Sequence, residues 1–165
     1  MFKEMKVSGI AIDPITNTPI MILRAVEGEA AIPIWIGLLE ATAIATELEK
    51  IQFSRPMTHD LLRNVIKEVG ASVNKIEVID IRDNTFYALI TIAVGGRQFQ
   101  VDARPSDAIA LALRTNSPIF VHEMVIERSK HIDMGNKTDL KDGKSKKWSE
   151  ILESLSPEDF GKYKM

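Results

Sequence analysis

VDARPSDAIALALRT, residues 101–115, passes from strand chemistry to helix chemistry within a few positions. Phe99, Val101 and Ala103 alternate with Gln98, Gln100 and Asp102, Arg104-Pro105 ends the alternation, and residues 108–113 are apolar on every side. Alternation marks a strand with two unlike faces, and a helix that is apolar all round must be packed between two surfaces. The stretch therefore predicts a sheet, a helix lying on it, and a further layer over the helix. Its junction gathers Asp102, Arg104, Ser106 and Asp107, where helix capping and anion binding draw on the same chemistry.

Working back from residue 101, 97–103 reads as a strand, Gly95-Gly96 as a turn, 85–94 as a strand, Asp83-Asn84 as a tight turn and 72–81 as a strand. Before that meander, Pro56 and Thr58 open a helix with the stripe Leu61, Leu62, Val65, Ile66, Val69, ended by Gly70. Leu38, Ala41, Ile44, Leu48 and Ile51 recur at three and four residues, predicting a helix over 38–51. Three runs precede it, at 6–12, 19–26 and 30–36, separated by DPITNT and Glu27-Gly28-Glu29. Residues 119–122 offer one more strand before 123–130.

The two halves share a plan, three strands in a meander and then a helix opening acid-Ala-x-Ala-aliphatic-Ala, EATAIA from Glu40 and DAIALA from Asp107. The expected fold is α+β, with two related β-meander-plus-helix halves, read as an internal duplication, forming a mixed sheet system with packed helices, plus a C-terminal helical tail. The domain is expected over 1–128. KTDLKDGKSKK lies in a Lys-rich polar linker, 129–147, and WSEILESLSPEDF begins a helical tail, 148–165, with Ser156-Pro157 as a helix start.

With 165 residues, 45% hydrophobic and 27% charged, the chain has the size and composition of one ordinary domain with a core. A formal net charge of −2 excludes a global basic field, so contact with a polyanion has to rest on a local patch or a metal. The absence of cysteine excludes a disulfide framework, thiolate zinc ligation and a cysteine nucleophile. The most apolar run, AAIPIWIGLL, is too short for a membrane span and contains Pro33 and Gly37. The start of the chain lacks the apolar stretch of a secretory signal. A cytoplasmic protein with no membrane association is expected. Apolar meander faces and an amphipathic tail both need cover, which predicts a homo-oligomer, most simply a twofold dimer.

RPMTHD from Arg55 and RPSDA from Arg104 place an arginine ahead of a helix start twice. Capping by Thr58 and Ser106, with Asp60 and Asp107 at the positive end of the helix dipole, accounts for four of these polar residues. It leaves Arg55 and Arg104 without a task, and arginines beside outward-facing backbone N–H groups suit phosphate oxygens. The competing assignment pairs Arg104 with Asp102 or Asp107. Asp102, Asp107 and Glu40 form a candidate oxygen-ligand set for Mg²⁺ or Mn²⁺. His59 lies between Thr58 and Asp60, in the setting of a general acid or base; the quieter reading has His59 facing solvent and Asp60 paired with Arg63. His122 reads as a core or edge histidine, and His131 as part of the linker.

IPIWIG followed by Glu40-Ala41, RPMTHDLL at 55–62, RDNTFYA at 82–88 and VDARPSDAIALALR at 101–114 together resemble the bifunctional nuclease family, once catalogued as a domain of unknown function. The resemblance spans roughly residues 7–125. Its motifs are long, ordered and correctly spaced. It implies an activity on both DNA and RNA, phosphodiester hydrolysis by metal-assisted or acid/base chemistry with little base preference, and nucleic acid as substrate. Arg55, His59, Asp60, Asp102, Arg104, Ser106 and Asp107 fall in its signature segments. On the residues themselves, Asp102, Arg104, Asp107, His59 and Asp60 are the candidate catalytic groups, and Arg55, Arg104 and Ser106 the candidate phosphate ligands. The competing class is a non-catalytic regulatory module holding a nucleotide or an acidic partner; a third reading is a purely structural oligomer.

Overall fold

The computed structural model describes residues 1–131. The tail expected at 148–165 and all but the first residues of the linker lie outside the described residues. Seven strands and four helices follow in the order β1 Phe2–Ile12, β2 Pro19–Ala25, β3 Ala31–Trp35, α1 Leu38–Leu48, α2 Thr58–Glu68, β4 Ser72–Arg82, β5 Thr85–Val94, β6 Arg97–Ala103, α3 Pro105–Thr115, β7 Ile119–His122 and α4 Glu123–Ser129. The strands make one mixed sheet in the order β3-β2-β1-β7-β4-β5-β6. The fold is α+β, as expected.

Short β7 joins two antiparallel meanders, running antiparallel to β1 and parallel to β4. Ile119 and Val121 are buried there, opposite Met5 on one side and Ile76 and Val78 on the other. This pairing also explains why β1 starts at Phe2, earlier than its apolar run suggests: Phe2 to Met5 have β7 as a partner. The turns at Asp83-Asn84 and Gly95-Gly96 have positive φ at both residues, which gives a two-residue hairpin the right-handed twist of its strands. Each half has the plan of meander then helix, but the details differ: two helices follow β3, and one follows β6. The recurrence is one of plan, and descent of both halves from a duplicated unit stays a proposal.

α3 occupies the centre. Ala108 through Ala112 are all buried, between β4 and β5 below and α1 and α2 above. α1 ends at Leu48, three residues before its apolar period stops, because Lys50 takes a left-handed φ of 54° and Ile51 N–H bonds back to Thr46 O, 2.8 Å.

The expected facing of β6 is corrected, and the covered side of α2, which its stripe left open, is defined. β6 is the sheet's edge strand, and both sides of it are open: Phe99 and Val101 are exposed beside Gln98, Gln100 and Asp102, so alternation there does not define a core face. α2 is turned outward. None of its residues is fully buried, and Leu61, Leu62, Val65 and Val69 are 55%, 40%, 51% and 65% exposed, while His59, Asp60, Arg63, Asn64 and Ile66 lie on the partly buried side. Its apolar stripe faces solvent because its polar side is bound to the body of the protein.

Candidate functional site

Glu40 stands in the first turn of α1 and Arg104 is the N-cap residue of α3. The two helix starts meet, as the paired motifs suggested: Arg104 Nη1 donates to Glu40 Oε1 at 2.8 Å. Arg104 Nε donates to Asp107 Oδ2 at 2.8 Å. The other oxygen of Asp107 lies 2.9 Å from His59 Nε2, at the start of α2. The result is a chain of contacts, His59–Asp107–Arg104–Glu40, that ties three helices at their N-terminal ends. Gly37 permits it, since a Cβ at that position would fall on Glu40 Oε2.

The electrostatics follow from the contacts. Burial pushes the Asp107 carboxyl upward, but hydrogen bonds from Arg104 and His59 outweigh it and hold the group below the usual carboxylate range. The Asp107 and Glu40 carboxylates raise the Arg104 guanidinium in turn. Arg104 remains 64% exposed at its side chain, and among the described residues its Nη2 donates to no protein acceptor. A guanidinium fixed on two sides with one amino group open to solvent can take an oxyanion. His59 is only 14% exposed at its side chain.

The expected residues separate into two groups. The assignment of His59 to solvent and of Asp60 to Arg63 is corrected: His59 binds Asp107, and Asp60 pairs with Arg114, Nε to Oδ1 at 2.7 Å. The second Asp60 oxygen accepts from Met57 N–H at 3.0 Å. Burial raises the Asp60 carboxyl, while the Arg114 and Met57 hydrogen bonds and the Arg114 charge more than reverse the shift. Thr58 and Ser106 do not cap; they are already inside the first turn, the N-cap positions being Met57 and Arg104. Ser106 is buried. Arg55 and Asp102 are exposed and lie outside the hydrogen-bonded chain. Of Asp102 and Asp107, the two partners expected for Arg104, only Asp107 is used; Glu40 is the second.

The metal set does not converge. Among the described residues no three of His, Asp and Glu are grouped to hold an ion. Glu40 and Asp107 each direct an oxygen at Arg104, and a cation between them would have to displace the guanidinium. The donor set therefore does not fit a metal in this arrangement.

Arg114 was missed as part of the site. It is 3% exposed at its side chain, and each of its three nitrogens donates, to Asp60, to Ala110 O at 2.9 Å and to Ala43 O at 2.9 Å. The signal was present as one arginine directly after the run 108–113 that is apolar on every side. His122 caps α4, its Nδ1 accepting from Met124 N–H at 3.2 Å.

Beside Arg104 opens a cleft of about 270 Å³, lined by Ile34 to Gly37, Glu40, residues 84–86 of the β4–β5 hairpin, and Arg104 to Ser106. β3 and β5 stand five places apart in the sheet, ~24 Å if flat at ~4.8 Å per strand. The sheet must curve for both to line so small a space.

An α+β sheet protein with acid–histidine and acid–arginine pairs at converging helix starts has the equipment to act on an anionic, phosphate-like group. Comparison with known proteins narrows the class: the pattern of the bifunctional nuclease domain matches residues 21–133, and this chain belongs to that family. Over 162 residues it is 38% identical to the uncharacterized protein Rv1829 of Mycobacterium tuberculosis, covering 95% of this chain and 97% of that one. It is 27% identical to bifunctional nuclease 2 of Oryza sativa subsp. japonica over 108 residues, 63% of this chain and 33% of the plant protein. It is 23% identical to bifunctional nuclease 1 of Arabidopsis thaliana over 109 residues, 64% and 34%. The match thus covers about a third of each plant protein. No helix among the described residues is long and apolar enough to cross a membrane.

Proposed function

We propose that this protein hydrolyses phosphodiester bonds of DNA and RNA with little base specificity, in the cytoplasm and as a homo-oligomer. The observation that carries the reading is the His59–Asp107–Arg104 chain in a member of the bifunctional nuclease domain family. Arg104 binds the scissile phosphate through its open amino group and stabilises the charge that develops on it. Asp107 holds the His59 ring and, by accepting from Nε2–H, leaves Nδ1 as the nitrogen able to take a proton from water. Arg55, exposed just ahead of α2, is a second phosphate ligand. Ser106 lines the adjoining cleft. Asp60 acts through position: with Arg114 it sets the start of α2 and so the place of His59. Asp102, exposed on β6 two residues before Arg104, is an accessory acid.

One observation favours the alternative, a non-catalytic module binding a nucleotide or an acidic partner. Arg104 already has two carboxylate partners, and the chain of contacts also serves to fasten α1 and α2 to α3.

Both readings are tested on one purified preparation by pairing melting temperature with the rate of cleavage of a labelled single strand, with and without EDTA. Arg104→Ala is expected to cost about 0.5–2 kcal/mol of stability, since it removes two ion pairs of an exposed side chain. Cleavage is expected to fall ~10²–10³-fold, as when a donor to transition-state charge is removed. His59→Ala should fall comparably. EDTA should leave wild-type cleavage in place, because the carboxylates are engaged by Arg104; loss of activity in EDTA would show that the guanidinium yields to a metal. An Arg104→Ala protein that melts early and cuts normally makes the junction structural.

A further inference from the structure

β6 ends the sheet and leads directly into Arg104, and little in its sequence protects that edge. All seven of its residues pair with β5 in one unbroken register, whereas β4 shifts register twice against the same strand. Residues 97–103 contain no proline or lysine, and 98–101 are uncharged. Bulges, proline, lysine and brevity are the usual means of blunting an edge. The other edge strand, β3, has them: it is five residues long with Pro33 at its centre. β6 also extends the helix-bearing side of the sheet without being covered. Phe99 and Val101 stand opposite Ile92 and Ile90, which pack in the core, yet they are 48% and 44% exposed. The helix layer stops short of the last strand and leaves an apolar margin. By alternation Arg97 and Ala103 share that side, and Gln98, Gln100 and Asp102 take the other.

We propose that two copies of this chain pair antiparallel through β6 about a twofold axis at Gln100, and that this pairing sets the partner's Arg97 beside Arg104. Centring the axis on Gln100 uses the whole strand. Phe99 then meets the partner's Val101, and Gln98 meets the partner's Asp102. Apolar thus faces apolar and an amide donor faces a carboxylate, which are favourable cross-strand pairs, and no like charges are opposed. The two apolar margins join into one. Directly opposed residues share a face, so the partner's Arg97 comes opposite Ala103 on the helix-bearing side, with ~4.5–5.5 Å between the Cα atoms. Arg104 is the next residue, at the N-cap of α3. A chain of net charge −2 has no basic field of its own, and the pairing gathers two guanidinium groups at each junction. One strand's length buries less than the ~1,200–2,000 Å² of a standard interface, so the pairing is of the weak class and forms above micromolar concentration. It stands apart from the hydrolytic reading, on which only the use of the added cation against phosphate rests.

The chain has no cysteine, so a single introduced thiol reports the register. In full-length Gln100→Cys the two thiols oppose each other across the axis, within the ~4.4–6.8 Å Cα separation that a disulfide spans. In Gln98→Cys, at an equally exposed position, they stand four residues apart, ~14 Å along the strands. In a glutathione redox buffer, with protein well above micromolar concentration, Gln100→Cys is expected to form the linked pair at least about tenfold faster than Gln98→Cys. Adding Phe99→Lys should remove that advantage with the circular dichroism unchanged; the comparison of positions 98 and 100 decides the matter without it if that variant folds poorly. The locked Gln100→Cys pair should bind a phosphorothioate single strand about three- to tenfold more tightly per site than the same protein reduced with dithiothreitol. Arg97→Ala should abolish the gain. Equal cross-linking at 98 and 100 overturns the pairing. Preferred cross-linking at 100 supports it, but a locked pair that binds no more tightly, or a gain that survives Arg97→Ala, overturns the place given to the partner's Arg97. Tighter binding by the locked pair without cleavage of an ordinary strand supports the pairing and removes the nuclease reading. Cleavage with equal cross-linking does the reverse.

Discussion

Arg114 and Asp60 show how one pair of residues supports a site that neither of them touches. Arg114 is enclosed, with all three of its nitrogen positions donating, and only Asp60 among its acceptors carries a charge. Removing that carboxylate leaves a buried cation facing two carbonyl oxygens. Breaking a buried pair from one side costs ~3–5 kcal/mol, and since Asp60 retains some exposure, Asp60→Ala is expected near the lower end, ~3 kcal/mol. Urea unfolding should show this as a lower midpoint at unchanged slope. A loss under about 1 kcal/mol would mean that water replaces the carboxylate, an outcome the burial of Arg114 argues against. His59 would then hold its position without help from its neighbour.

At the scale of elements, α2 departs from the usual rule. An amphipathic helix ordinarily buries its apolar stripe, whereas α2 is fastened by an ion pair, Asp60 to Arg114, and by the His59–Asp107 hydrogen bond. Such a helix is sensitive to acid because its attachment depends on two carboxylates, whereas β4, whose Asp80 carboxyl is also held low by Arg82 and Arg128, is fixed in addition by its backbone ladders to β5 and β7. The Asp60 and Asp107 carboxyls both lie below their ordinary value in the fold, and an unfolded carboxyl titrates near ~3.9. Near that pH the unfolded state binds more protons, so stability rises with pH. The contribution is full above about pH 5 and is lost as pH falls through the depressed folded values. Amide exchange across Thr58–Glu68, corrected for its intrinsic pH dependence, should therefore rise on acidification before exchange in β4 and β5 does, as a local opening. Simultaneous loss of protection in α2 and the sheet would refute this ordering. Cleavage should decline with α2, since His59 leaves the site with it.

At the scale of the whole molecule, the same helix points to association. Of the seventeen large hydrophobic residues exposed among the described residues, eight lie between Leu48 and Val69, so their apolar surface is concentrated on α2 and the segment leading into it. Lys67 and Glu68 flank the stripe with opposite charges, a rim suited to a second copy of a nearly neutral chain and unsuited to a polyanion. Closed twofold pairing would cover both stripes at once. Light scattering at micromolar concentration is expected to give twice the 18.4 kDa chain mass, and Val65→Glu to return the mass to that of one chain with the circular dichroism unchanged. A wild-type monomer would refute the pairing. Retained mass in Val65→Glu would move the interface away from α2, with edge strand β6 the next place to look.

Local chemistry, which needs no knowledge of neighbours, was sufficient for the element types and for much of their extent. β5 at 85–94, β6 at 97–103 and β7 at 119–122 follow from apolar runs and turn residues, and the α+β class follows from their succession. The helix openings at Glu40 and Asp107 also disclosed a pair of sites, since similar motifs in two halves of a chain tend to be placed alike. Facing and partnership were another matter. Periodicity defines a stripe but not the side from which it is covered, so the stripe of α2 left its covered side undetermined and β6 read as a half-buried strand. The partners of His59 and Asp60 and the second partner of Arg104 lie 48, 54 and 64 residues away, beyond the reach of any local pattern. Only the packing of α1 and α2 on α3 decides which carboxylate meets which cation, and with it whether the junction binds a metal or holds an arginine.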